Sequence, residues 1–206
     1  MGRLRDGRRA AIESDGATPF DSDGLKLSGI NSIRQLHVAE ARNISIPMTK
    51  YLAGIPSKRK APFTLEWSYK LHREMFGDVW EWAGRRRNTD LNLGFSSPVY
   101  EIDPNVSNLL EDLAAWSEHR TYSVLEQAVR LHHRAVRIHP FRNGNGRWSR
   151  LLSNIWLKRH QAPLVNWPEG SIVAEGDLRR EYLDAVKAAD DHDLAPLLKL
   201  SQKYLS

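Results

Sequence analysis

The sequence contains no cysteine, and this absence excludes several classes of protein. A disulfide framework, a thiolate nucleophile and a cysteine-based zinc site are all ruled out. No apolar run approaches the roughly 20 residues that cross a bilayer, so we expect no membrane span. The first ten residues, MGRLRDGRRA, hold four arginines with no apolar stretch behind them, which argues against a secretory signal. We therefore expect a cytoplasmic protein.

The sequence also lacks a dominant charge of one sign. Its 30 lysine and arginine residues are interspersed with 25 acidic residues, and the formal net charge is +5. Proteins that bind nucleic acid usually concentrate basic residues on one face, and no DNA-reading motif is present here. The short basic runs at 58–60 and 85–87 are typical of solvated loops. We therefore expect no direct contact with nucleic acid.

The remaining composition suits one helical domain with a sizeable core. Apolar residues recur at helical spacing along most of the chain, and this spacing predicts an all-α fold. The first helix is predicted near residues 31–42, and Pro47 is expected to end or kink it. Thr64, Ser123 and Asp177 are predicted helix caps. Residues 1–30 are predicted to form a flexible arm and loop, and residues 31–206 the domain.

One segment departs from the helical pattern. Residues 85–100 follow a glycine, contain another at position 94, and include threonine, leucine and phenylalanine at alternate positions. Such alternation is typical of a strand, so a short β-hairpin is predicted here as a flap. The alternating residues are Thr89, Leu91, Leu93 and Phe95.

The stretch that bears most directly on function is HPFRNGNGRWSR, residues 139–150. Gly144, Asn145 and Gly146 stand between a loop and a helix start, where several backbone N–H groups can turn toward one anion. The helix dipole contributes only about 0.3–1 kcal/mol, so arginines must provide much of the affinity for a polyphosphate. Arg147 and Arg150, three positions apart, are placed to do so.

His139 precedes this anion site by a few residues. Positive potential nearby disfavours a protonated imidazole, so His139 is expected to be neutral at physiological pH. A neutral histidine is able to take a proton from an incoming hydroxyl as a general base.

The pattern HPFxxGNGRxxR resembles the motif of the Fic family, whose members typically transfer AMP from ATP to a protein hydroxyl. FGDVWEWAGRRR is similar to the segment that opens the Fic flap, and LHHRAVRIHPF to the helix that enters the motif. The tail DLRREYLDAVKAADDHDLAPLL resembles the bacterial subgroup called mobile mystery protein B. The resemblance covers roughly residues 31–204 and implies a Fic-type helical bundle with a flap beside the active site.

The resemblance also implies roles for single residues. His139 would be the base for the target hydroxyl, and Asn145 a donor to the α-phosphate. Gly144 and Gly146 would lend backbone N–H groups, and Arg147 and Arg150 would bind the β- and γ-phosphates. The flap would dock the target protein through Arg85, Asn88, Thr89, Leu91 and Leu93.

Asn143 departs from the family pattern, which usually has Asp or Glu at this position to help bind Mg²⁺. An amide oxygen ligates Mg²⁺ without bringing charge, so we expect weaker metal binding or a different substrate pose. Transfer of another group, such as UMP or phosphate, therefore remains an alternative. A second alternative is a toxin–antitoxin-like component that binds nucleotide with little catalysis.

Many Fic proteins are inhibited by a glutamate that pairs with the second motif arginine. Two residues are candidates here, Glu175 in a loose match to the inhibitory pattern and Glu40 on the first predicted helix. If neither acts, the resemblance implies a separate antitoxin-like or helix-turn-helix partner. His72, His132 and His133 are interpreted as structural, because their spacing does not suit a metal site.

Overall fold

The computed structural model describes residues 22–91, 96–173 and 176–206. These residues form a helical bundle, which confirms the all-α prediction. Isolated bridges join Leu25 to Trp80 and Val165 to Leu205, and no β-sheet forms among the described residues. The α-helices of this part are α1 Ile33–Leu52, α2 Leu65–Phe76, α3 Ile102–Glu118, α4 Val124–Ile138, α5 Asn145–Arg159, α6 Glu169–Val173, α7 Asp177–Asp190 and α8 Ala195–Lys203.

Helix α5 lies at the centre and contacts α1, α2 and α4. Trp148, in its first turn, is fully buried and donates from its indole nitrogen to the Ser68 carbonyl of α2 at 3.0 Å. Truncating a buried tryptophan to alanine typically costs about 3–5 kcal/mol. Trp148 therefore fixes the start of α5, the helix that begins within the motif.

Two predicted caps are confirmed. The Thr64 hydroxyl accepts from the Trp67 amide at 3.3 Å at the start of α2, and the Ser123 hydroxyl accepts from the Glu126 amide at 3.2 Å at the start of α4. Each cap satisfies a backbone donor that has no partner within its helix. α2 and α4 therefore begin where the sequence predicts.

Two helix boundaries were predicted incorrectly. α1 continues through Pro47 to Leu52, although proline inside a helix costs about 3 kcal/mol. The buried Pro47 lies on a helix that packs along α2, and this packing outweighs the local cost. Asp177 is the first residue of α7 rather than its cap, since Gly176 precedes the helix. No helix of the described ranges is long and apolar enough to cross a membrane.

The segment that leads into the domain is hydrogen-bonded to it. Lys26 donates its amide to the Val79 carbonyl at 2.8 Å, and the Glu81 amide donates to Gly24 at 2.8 Å. Residues 24–26 are thus attached to the domain predicted to begin at residue 31. Residues 1–21 lie outside the described part, so for them the arm remains a prediction.

The predicted β-hairpin is absent from residues 85–91 and 96–100: residues 85–91 and 96–98 form irregular backbone, and a short 3-10 helix runs over Val99–Glu101. Side chains replace the ladder bonds: Arg87 donates to the carbonyls of Thr89 and Ser97, and the Asp90 carboxylate accepts from the Val99 amide at 2.8 Å. Residues 92–95, which include Leu93 and Phe95, lie outside the described part.

Arg87 also binds the motif, and the solvated-loop prediction is wrong for it. Its side chain is only 2% exposed, whereas Arg85 and Arg86 are exposed. Its Nε donates to the His139 carbonyl at 2.8 Å, and its amide donates to the Pro140 carbonyl at 2.9 Å. Arg87 therefore ties both ends of the flap to the motif loop.

We expect Arg87→Gln to lower the free energy of unfolding by at least about 2 kcal/mol. The shorter glutamine side chain cannot reach the carbonyls of Thr89, Ser97 and His139 together, and each partly buried carbonyl left without a donor costs up to about 1–3 kcal/mol. The measurement is urea denaturation of both proteins. Arg85→Gln is the matched control and should change stability by no more than about 0.5 kcal/mol. Equal effects of the two substitutions would contradict this role.

Candidate active site

The loop between α4 and α5 is held in a left-handed backbone conformation at both ends. His139, the C-cap of α4, has φ 52°, and Gly144, the N-cap of α5, has φ 80°. A Cβ on Gly144 would lie 2.7 Å from the ring of Phe76, so the position requires glycine. The sequence correctly predicts a loop followed by a helix, but it places Asn145 and Gly146 before the helix, whereas α5 already begins at Asn145.

Asn145 closes the loop through both atoms of its side-chain amide. Its oxygen accepts from the Phe141 amide at 2.9 Å, and its nitrogen donates to the Phe141 carbonyl at 2.8 Å. Phe141 is fully buried and packs edge-on against Trp148. Asn145 thus shapes the loop directly, and its donation to an α-phosphate remains a prediction.

His139 has the protonation state that a general base needs. Its Nδ1 lies 3.2 Å from the Val136 carbonyl, which only accepts, so Nδ1 carries the proton and Nε2 the lone pair. Burial lowers the pKa of His139, and the Arg87 guanidinium lowers it further, while the Val136 contact opposes them. The neutral form expected from the sequence is therefore favoured, with Arg87 as the neighbouring positive charge.

Arg147 forms an ion pair with a carboxylate of its own chain. Its Nη1 lies 2.7 Å from Glu40 Oε2, and the other oxygen of Glu40 accepts from the Trp80 indole at 2.8 Å. The Glu40 side chain is only 3% exposed. Glu40 therefore contacts the first motif arginine, whereas the family pattern implies contact with the second.

Arg150 is paired with a different carboxylate, which sequence reasoning missed. Its Nε donates to Glu169 Oε1 at 2.7 Å and its Nη2 donates to Glu169 Oε2, an arrangement typical of a bidentate pair. Glu169 begins α6, a five-residue helix that is too short to show an apolar period. Glu175 lies outside the described residues.

A second layer of polar groups stands behind Arg150. Tyr182 lies 3.5 Å from Arg150 Nη1 and 3.0 Å from His132 Nε2, and His132 Nδ1 lies 2.9 Å from the Ser149 hydroxyl. Burial lowers the pKa of His132 well below its usual value, and the Arg150 charge adds to this. His132 is thus a neutral, hydrogen-bonded core residue, as the sequence predicts.

Asn143 is exposed, and its side-chain oxygen accepts from the Gly144 amide at 2.6 Å. This bond uses one of the two lone pairs of that oxygen. Among the described residues no group of three or more histidine, aspartate or glutamate side chains is placed to hold a metal. Asn143 offers one neutral oxygen, so most ligands of a Mg²⁺ ion at this site would have to be substrate phosphates and water.

The flap residues predicted to dock a target lie beside the motif loop. Arg85, Asn88 and Thr89 are exposed and Leu91 is half-buried. Arg87 places them there, because it bonds to the Thr89 carbonyl and to the backbone of His139 and Pro140. Their contact with a target remains a prediction.

A cavity of about 430 Å³ opens next to the two arginines. This volume lies in the range of sites for small molecules, about 300–1,000 Å³. Apolar side chains from α1 and α5 and the segment before α6 form most of its wall. The lining includes Ala41, Ile44, Met48, Leu151, Val165 and Trp167, together with Arg147 and Arg150.

Comparison with known proteins gives consistent matches. A family model described as the Fic/DOC family matches residues 62–157, the segment from α2 through most of α5. Protein adenylyltransferase fic-1 of Caenorhabditis elegans is 31% identical over 153 residues, which are 72% of this chain. This chain spans only 28% of the length of that relative.

Two solved structures share the fold. The Fic-1 fragment of residues 134–508 from C. elegans has a TM-score of 0.64 at 27% identity, covering 88% of this chain and 52% of the fragment. The N-terminal Fic domain of a Bartonella effector protein from Bartonella sp. AR 15-3 has a TM-score of 0.66 at 20% identity, covering 100% of this chain and 96% of that one. With its motif loop inside the matched segment and its fold shared over most of its length, the chain belongs to the Fic/DOC family.

Proposed function

We propose that this chain is a protein adenylyltransferase, which transfers AMP from ATP to a hydroxyl group of a target protein. The observation that carries the proposal is the arrangement of one histidine and two arginines around the loop between α4 and α5. A histidine with its lone pair on Nε2 precedes a helix start whose first two turns present Arg147 and Arg150. The relative named as a protein adenylyltransferase supports the same activity.

The cavity beside the arginines suits a nucleotide. Its largely apolar wall would accept an aromatic base, and the arginines at its edge would accept phosphates. Guanidinium groups bind phosphate in the same bidentate geometry that Arg150 shows with Glu169. A polyphosphate would therefore have to displace the two glutamates from these guanidinium groups.

The transfer balances without a covalent enzyme intermediate. The target hydroxyl oxygen forms a bond to the α-phosphorus, and its proton passes to Nε2 of His139. The bond from the α-phosphorus to the oxygen of the β-phosphate breaks, and pyrophosphate leaves. Arg147 and Arg150 stabilise the charge on that leaving group, and the N-terminal amides of α5 favour the anion beside it.

Mg²⁺ is proposed as the metal of the ATP complex. When bound, it would neutralise part of the charge on the phosphates. Asn143 occupies the position that usually carries a metal-binding carboxylate in the family. Its side-chain oxygen accepts a hydrogen bond from the Gly144 amide. We propose that the remaining ligands come from the phosphates and water, so that metal affinity is lower than with a carboxylate at this position.

The proposal extends to partners and location. The exposed flap residues Arg85, Asn88 and Thr89 would contact the target protein, together with Leu91 and with Leu93, which lies outside the described part. A cytoplasmic location is part of the proposal. If no carboxylate of the chain inhibits the site, the resemblance to the mobile mystery protein B subgroup implies a separate antitoxin-like partner. Transfer of UMP or phosphate is the alternative activity.

Inhibition is proposed to lie within the chain. Glu40 and Glu169 occupy the two arginines that would bind the β- and γ-phosphates. The Glu40 carboxylate is buried and hydrogen-bonded to Trp80, so it is firmly held, whereas Glu169 is half-exposed. Losing either carboxylate should therefore favour nucleotide binding.

The transferred group is identified by supplying ATP labelled at the α- or the γ-phosphate. We expect label from the α-position to enter protein, and His139→Ala to reduce its rate about 10²–10⁴-fold, the usual contribution of a general base. Label from the γ-position would instead indicate phosphate transfer. Bound ATP with neither label transferred would favour the binding-only alternative.

The pH profile of transfer provides an independent test of His139 as the general base. Transfer requires the unprotonated base, and the pKa of His139 is lowered from its ordinary value of 6.5. The kcat/KM should therefore stay flat from pH 8 down to about 6.5 and fall only in more acidic solution. A loss of activity already above pH 7 would contradict His139 as the base.

We expect Asn143→Asp to raise transfer and to lower the Mg²⁺ concentration required for half-maximal rate. The carboxylate adds a charged oxygen ligand where the chain has only an amide. The measurement is a Mg²⁺ titration of label transfer, with Asn108→Asp at an exposed position on α3 as a matched control for added charge. Superimposable titrations of wild type and Asn143→Asp would contradict the proposal.

We expect Glu40→Gln and Glu169→Gln each to raise self-labelling about tenfold. Glutamine keeps the shape but loses the charge, and a hydrogen bond to a charged group contributes about 1.5–3 kcal/mol. Glu66→Gln, at an exposed position on α2, is the control and should leave labelling unchanged. If neither substitution raises labelling, inhibition from within the chain is excluded, and a separate partner becomes the better explanation.

A further inference from the structure

We propose that His72 of α2 is a positioning residue. It joins the loop between α4 and α5, called the phosphate loop below, to Gly84, which forms the base of the flap. The proposal rests on the proposed function, because it concerns the same nucleotide site. His72 is not a general base or a ligand here. Its imidazole links two backbone segments whose relative placement the reaction requires.

Two hydrogen bonds carry this assignment. On one side, Nε2 lies 3.0 Å from the carbonyl oxygen of Asn143 in the phosphate loop. On the other, Nδ1 lies 2.9 Å from the amide nitrogen of Gly84, the residue that precedes the flap. The side chain itself is fully buried.

The chemistry of the partners fixes the tautomer. A carbonyl oxygen only accepts and a backbone amide only donates, so Nε2 carries the proton and Nδ1 accepts. Protonation of Nδ1 would break the bond to Gly84. Burial lowers the pKa of His72 to about 3, and the charge of Arg147 acts in the same direction. The ring is therefore neutral, and both nitrogens are used.

Packing around the ring leaves little room for movement. His72 stacks on Phe141 with ring centroids 3.7 Å apart, and Phe76 lies on the neighbouring turn of α2 at 4.8 Å. A Cβ on Gly144 would lie 3.2 Å from His72 Nε2. The loop and the ring are thus in direct contact.

The two backbone partners of His72 lie at the start of α5 and at the start of the flap, and the proposed reaction uses both segments. The Asn143 carbonyl belongs to the peptide unit that carries the Gly144 amide, at the N-cap of α5. Gly84 has φ 73°, and a Cβ there would meet the Tyr69 carbonyl at 2.9 Å, so it is a tight turn against α2. One imidazole therefore orients the start of the anion site and the start of the flap together.

A simple packing role would give a different result from a linking role. If His72 only fills space, substitutions of similar size should affect both segments equally. If it links them, each of its two bonds should be separable. The amide group of Asn lies close to the position of histidine Nδ1, and that of Gln close to the position of Nε2. His72→Asn therefore retains the Gly84 bond, and His72→Gln retains the Asn143 bond.

Two measurements distinguish the bonds, both on the full chain. ATP affinity, measured by calorimetry, reports the phosphate loop. The rate of tryptic cleavage after the exposed Arg85 and Arg86 reports the base of the flap. His119→Asn and His119→Gln, at an exposed position, are matched controls and should change neither quantity.

We expect a crossed pattern. His72→Asn should weaken ATP binding about fivefold, the effect of one lost hydrogen bond, with cleavage unchanged. His72→Gln should keep ATP affinity within about twofold and increase cleavage by about fivefold. If one variant does not fold, the remaining variant must still show its own half of the pattern.

Equal effects of the two variants on both measurements, or no effect of either, would overturn the linking role. Failure of the proposed function has a different signature, because the wild-type chain would then bind no ATP. The cleavage measurement needs no nucleotide, so in that case it still decides whether His72 holds the flap.

Discussion

The structure of the site depends on the two hydrogen bonds between the Asn145 amide and the backbone of Phe141. They close a turn in which His139 and Gly144 both adopt the left-handed conformation, which non-glycine residues adopt at a cost. The buried rings of Phe141 and Trp148 hold the turn against α2. With this turn closed, His139 at the end of α4 and Gly144 at the start of α5 are held at the two ends of one short loop.

The ion pairs of the two motif arginines follow from the energetic cost of burying a charge. The Arg150 side chain is almost fully buried and that of Arg147 is mostly buried, and a buried guanidinium group requires a partner because an unpaired charge in the interior is very costly. Glu40 and Glu169 provide these partners for Arg147 and Arg150. Under the proposed function, the phosphates of a nucleotide replace the two carboxylates at these arginines. The nucleotide affinity then depends on how much more strongly the arginines bind the phosphates than the carboxylates. Regulation then needs no separate binding site.

Arg87 and His72 give the site its rigidity without joining its chemistry. Arg87 bonds to the backbone of His139 and Pro140, and its charge helps to lower the pKa of His139. His72 bonds to Asn143 and Gly84. Both side chains use backbone carbonyls or amides as partners, so they fix the shape of the loop and leave the exposed flap residues available for a target.

The sequence by itself determined whatever depends on neighbouring residues. The caps at Thr64 and Ser123 are local, and they were predicted correctly. The start of α5 was predicted at Arg147, two residues after its first residue Asn145, and the roles of His139, Arg147 and Arg150 remain predictions. Tertiary structure alone decided the pairings between distant residues. Glu40 meets Arg147 across 107 positions and His72 meets Asn143 across 71, and Arg87 is buried although its two neighbours are exposed. No period or motif specifies such pairs, because they form only when α1, α2 and the flap pack around α5.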